Sequence, residues 1–137
     1  MNDGYSLRKI QSELVLPEEF VKPYLVSVYD DFSFLINSVW RQYGGWYSGT
    51  PSELKPPNLE DIGRTYIDMA GNESNLFKFL ESLVSSQKYK EASVIVDAAF
   101  SVNSDLFSGI KNEIYLKLAE QETSLMAKGI YKFNHDS

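Results

Sequence analysis

Cysteine is absent from the 137 residues, and histidine occurs once, as His135. Those shortages exclude disulfides and thiolate nucleophiles, and they leave almost no ordinary ligands for zinc. A serine–histidine–acid triad would need that single imidazole, which stands in a polar tail. Positive charge is also scarce, with 13 Lys and Arg against 19 Asp and Glu for a net −6. Nucleic acid and anionic membrane surfaces are therefore poor partners. No apolar run approaches the roughly 20 residues that span a bilayer. The opening MNDGYSLRKI lacks the apolar centre of a secretory signal. A soluble acidic chain is expected, with the cytoplasm favoured and the compartment unassigned.

Phosphate-binding loops are missing as well. In YGGWYSGT, Gly49 leads into Thr50-Pro51, which supplies no lysine and removes one backbone N–H. No GxGxxG follows a strand. Asp30-Asp31 and Glu18-Glu19 are adjacent pairs, and neighbours on a helix diverge by about 100°. Only Glu53, Glu60 and Asp61 offer a possible acidic cluster, and a solvated acidic face is the simpler reading of all these carboxylates. No catalytic, cofactor or metal residue emerges.

Apolar residues make up 43% of the chain and aromatics 14%, which is too much for disorder. One domain over 1–137 is expected, long enough to bury a core. Ser6 caps a short helix with Leu7, Ile10 and Leu14 on one face, and the prolines of LPEEFVKP break the helix there. From Tyr24 to Tyr43 the positions Leu25, Val28, Phe32, Leu35, Ile36, Val39, Trp40 and Tyr43 recur in threes and fours, with Tyr29 widening the stripe. That spacing predicts one helix about 30 Å long. Its aromatic side has three possible uses: a core, a pocket or a subunit interface. For the interface, Leu25, Tyr29, Phe32, Ile36, Val39 and Trp40 are the candidate residues.

Asn58 is a natural cap for the next helix, with Asp61 in its first turn and Gly71 at its end. Leu59, Ile62, Tyr66, Ile67, Met69 and Ala70 are expected on its apolar side. Later helices are expected to bury Leu76, Phe79, Leu80, Leu83 and Val84, then Ala92, Ile95, Val96, Ala99 and Val102. In the next, Leu106, Ile110, Ile114 and Leu118 share a side flanked by Phe107 and Tyr115, and a last helix runs from Ser124 toward Tyr131. The small residues of KEASVIVDAA after SSQKYK resemble one tetratricopeptide-type hairpin, short of the three units a solenoid needs. The fold class is all-α, with about six or seven helices and a repeat-like C-terminal half.

Between the second and third of these helices lies YGGWYSGTPSELKPP. Gly44 and Gly45 release the helix, Pro51 and Pro56-Pro57 stiffen the exit, and Trp46 and Tyr47 are expected to anchor the turn against the stripe. This is a structural elbow rather than an active site.

The same stretch closely resembles the hallmark of the alkylsulfatase dimerisation domain, a motif of the form LGWFDG(D/N)P followed by two variable residues, Leu and a proline-rich end. Gly45, Trp46, Gly49, Pro51, Leu54 and Pro57 fall on its fixed positions and Tyr47 on its aromatic one. MNDGYSLRKIQSELVLPEE, GRTYIDMAGNESNLF, QKYKEASVIVDAAFSVNSD and SLMAKGIYKF resemble the family's flanking segments, so the likeness covers nearly the whole chain. Ser48 and Thr50 depart from it, standing where the family has acids or an amide. The resemblance implies the helical middle part of a zinc enzyme that cleaves alkyl sulfates. In that family a metallo-β-lactamase-type hydrolase domain precedes it and a sterol-carrier-like domain usually follows. Both are expected to be absent here, since no HxHxDH signature occurs, so zinc belongs only to the missing part. Homodimer association is the implied role, and a hydrolase domain a further implied partner. The alternatives are a standalone peptide-binding helical module, or a wall of the alkyl-sulfate site of a hydrolase on another chain.

Overall fold

The computed structural model describes residues 4–15, 17–20 and 31–135. Among them are seven α-helices and no strand: α1 (Leu7–Glu13), α2 (Phe32–Gly44), α3 (Leu59–Ala70), α4 (Glu73–Ser85), α5 (Tyr89–Val102), α6 (Ser104–Gln121) and α7 (Leu125–His135). Short 3-10 turns occur at Glu18–Phe20 and Pro51–Glu53. The all-α class is as the periodicity predicts. No helix among the described residues is long and apolar enough to cross a membrane.

Local caps explain most of the boundaries. The Ser6 side chain accepts from the Lys9 N–H, Asn58 from Asp61 at 2.7 Å and Asn72 from Asn75 at 2.8 Å. Gly45 and Gly71 end α2 and α3 at positive φ. One boundary differs from the sequence expectation. The stripe from Tyr24 to Tyr43 is not one helix, because α2 begins at Phe32 and is about 20 Å long. Asp31 is extended, and its carboxylate accepts from the Ser33 N–H at 2.7 Å. An aspartate that caps a helix cannot also continue one, and the apolar spacing runs straight through it. Leu25 and Tyr29 lie outside the described residues.

The described residues fall into two compact units, within Met1–Pro56 plus Thr123–Met126 and within Pro57–Glu122 plus Ala127–Ser137. In the second unit α5 packs against both α3 and α6, and α4 meets all three. Leu80, Val96, Phe107 and Ile114 are fully buried at its centre. The α3–α5 contact is set by Gly63, where an added Cβ would come within 2.0 Å of the Ala98 carbonyl oxygen. Only a residue without a side chain lets the two backbones approach so closely. Glycine in a helix interior costs up to about 1 kcal/mol against alanine, and this packing is what offsets it.

Several expected inward positions turn outward. Leu59, Met69, Phe79 and Leu106 are exposed. On α6 the buried face runs through Phe107, Ile110, Lys111, Ile114, Tyr115, Leu118 and Ala119. Phe107 is therefore central rather than flanking, one position along from Leu106. Lys111 joins that face with its ammonium 4.0 Å from the Phe100 ring centre. Its methylenes pack while the charge rests on the aromatic face.

Two side-chain bonds brace the unit. Asn103 caps α6 and donates through Nδ2 to Glu73 at 3.0 Å, tying the start of α4 to the α5–α6 joint. The Tyr115 hydroxyl donates to Asp97 at 2.5 Å. Burial first, and then that bond to an anion, push the Tyr115 phenol well above its ordinary range.

Candidate functional site

In the first unit α1 packs on α2, joined by Gln11 Nε2 donating to Asn37 Oδ1 at 3.2 Å. The stretch 45–56 then closes against the start of α1. The Leu7 N–H donates to the Ser48 carbonyl at 2.8 Å, and Arg8 pairs with Glu53 at 2.8 Å. Gly49 has positive φ, and an added Cβ there would sit 3.0 Å from Ser6 Cα. Both features require glycine. Pro51 opens the 3-10 turn, while Leu54 and Pro57 are exposed beyond it.

The anchoring runs opposite to expectation. Trp46 is 80% exposed and does not pin the turn against α2. Instead Trp40, buried on α2, donates from Nε1 to the Tyr47 carbonyl at 2.9 Å. A tryptophan with one polar atom suits this task, since the indole packs while its N–H holds a loop. Trp46 and Tyr47 meet edge to face, their ring centres 6.1 Å apart.

The α2 stripe divides into two rows. Ile36 and Trp40 are buried, and Phe32 is half-buried. Leu35, Val39 and Tyr43, at steps of four, form an exposed ridge at 60%, 46% and 74% exposure. Next to it is an open apolar groove of about 280 Å³, lined by Ile10, Leu14, Phe32, Leu35, Ile36, Val39 and Trp40. No side chain lining it is charged, so the groove can bind apolar groups and offers no acid, base or nucleophile for chemistry. Leu35 and Tyr43 belong to the apolar spacing but do not stand out from it as interface residues, since spacing alone does not say which row of a stripe its own chain covers.

Among the described residues no three His, Cys, Asp or Glu side chains converge. Glu53 is taken up by Arg8, and Glu60 by Arg64 at 2.5 Å.

Residues 6–136 match the model of the family described as alkyl sulfatase dimerisation. An (R)-specific secondary-alkylsulfatase from Pseudomonas sp. is 30% identical over 94 residues, which cover 67% of this chain and 14% of that enzyme. The fold superposes on the stereoselective inverting sec-alkylsulfatase from Pseudomonas sp. with a TM-score of 0.88 at 21% identity. That match covers 99% of this chain and 22% of the enzyme. A double mutant of the same enzyme gives 0.85 at 22% identity, covering 96% and 22%. The chain thus spans less than a quarter of the length of the alkylsulfatases it matches.

Proposed function

The chain belongs to the alkyl sulfatase dimerisation family, and we propose on that premise that it is a non-catalytic domain pairing two copies of an alkyl-sulfatase-like enzyme through α2. The observation that carries this is the exposed ridge of Leu35, Val39 and Tyr43 beside an apolar groove. Large contiguous apolar surface on a small domain marks an interaction site. A symmetric pair can cover it with the same surface from a second copy. The hydrolytic chemistry, and the zinc it would use, belong to a metallo-β-lactamase-type hydrolase domain joined to or met by this one.

Light scattering of the isolated chain across a concentration series tests the pairing. Mass rising toward twice that of one chain by tens of micromolar is expected, and one-chain mass throughout would contradict it. No sulfate release from alkyl sulfates in the presence of zinc is expected, and turnover by the pure chain would overturn the non-catalytic assignment.

A second reading has one feature in its favour. In the second unit Tyr66, Met69, Ala70, Asn75, Leu76, Phe79 and Ile95 line a groove of about 450 Å³, with Met69 80% and Phe79 49% exposed. Such a groove suits a peptide segment of another protein. Substituting Met69 and Phe79 by serine leaves self-association unchanged under the first reading.

A further inference from the structure

Resting on the pairing of two copies through α2, we infer that the groove beside that helix is filled by Trp46 of a second copy, so that each copy gives one indole and receives one. Trp46 is the most exposed aromatic side chain among the described residues, and it stands on a turn held by the Trp40 and Leu7 hydrogen bonds. A large apolar ring on a braced turn loses little freedom on docking, which is the character of an interface anchor.

Its own copy's groove does not hold it, because Trp46 is not among the residues that line that groove and is 80% exposed. An antiparallel second α2, related by a twofold axis passing near Val39, offers the indole the groove of another copy. It sets Tyr43 of each copy opposite Leu35 of the other, and turns the loop that carries Trp46 toward the other copy's groove. The contact is self-complementary, as a twofold pair demands.

Size and area agree with this occupant. An apolar cavity of about 150 Å³ admits a benzene ring, so the 280 Å³ groove has room for an indole. Leu14, Leu35, Val39, Tyr43, Trp46 and Tyr47 expose roughly 700 Å² together, taking about 200 Å² for each whole side chain. A standard interface needs about 800 Å² from each partner, little more than half of it apolar. The patch therefore meets the apolar requirement without other surface.

The full chain tests this through charge exchange. Trp46→Lys and Leu35→Glu each replace an exposed side chain, so helix content by circular dichroism stays that of the parent. Each alone weakens self-association about thirtyfold or more, the loss expected of an interface anchor. An equimolar mixture pairs again, because one groove then receives the natural indole and the other joins the introduced lysine to the introduced glutamate. If the parent pairs but Trp46→Lys pairs equally well, or the mixture stays monomeric, the seat for Trp46 is wrong while the pairing stands. A parent chain that never pairs overturns both.

Discussion

The two units solve the same problem with different amounts of material. In the second, α5 is covered on two sides by α3 and α6, and Leu80, Val96, Phe107 and Ile114 reach zero exposure. In the first, α2 has α1 and the braced turn for partners, and only its Ile36–Trp40 row is buried. The Leu35–Val39–Tyr43 row is left in solvent. An amphipathic stripe shows that a helix wants cover without saying whether its own chain provides it. Where cover is complete the stripe is core, and where it is half complete the remainder is available to a partner.

That contrast predicts a graded set of responses. The two largest belong to the second unit, and one of them is Gly63→Ala, whose Cβ would meet the Ala98 carbonyl at 2.0 Å. Backbone cannot yield as a side chain does, so a loss of about 3 kcal/mol, the top of the overpacking range, is expected in urea denaturation. Phe107→Ala empties a fully buried site in the same unit and should cost about 3–5 kcal/mol by the same measurement. If either substitution were tolerated, the closed description of this unit would fail.

Tyr115→Phe comes next, at about 1.5–3 kcal/mol for a bond donated to a charged group. Its pH dependence has a definite sign. The folded state raises the phenol's pKa, so the stabilisation is complete below the ordinary tyrosine value near 10 and is lost as pH climbs through the higher folded value. Melting temperatures followed from neutral pH upward should therefore fall less steeply in Tyr115→Phe than in the parent. Trp40→Phe in the first unit keeps most of the packing but frees the Tyr47 carbonyl, and about 1 kcal/mol is expected from its thermal melt. It should also loosen the turn and so weaken self-association.

Much of this is legible in the residues. Ser6, Asn58 and Gly71 mark helix ends in the chain as they do in the fold, because capping is local and needs no tertiary context. Three features escape for physical reasons. Asp31 lies between apolar positions at helical spacing, and periodicity is blind to a capping residue that interrupts it. On α6, Leu106 and Phe107 are equally apolar neighbours, and only packing chooses the second. Gly63 carries a usable sign, since a glycine inside a helical pattern often marks close approach, but its partner Ala98 lies 35 residues on and no spacing connects them. The elbow's place can be read from its glycines and prolines, while the direction of its tryptophan bracing cannot. Trp40 and Trp46 have the same chemistry, and burial alone assigns one to holding the turn and the other to the surface.

The most direct test compares sedimentation equilibrium of the parent chain with that of Leu35→Asp. Leu35 is 60% exposed, so the substitution should alter monomer stability by no more than about 0.5 kcal/mol. The account predicts a two-chain mass for the parent and a folded one-chain species for Leu35→Asp. A Leu35→Asp protein that still pairs as tightly as the parent would show that the uncovered side of α2 is not where two copies meet.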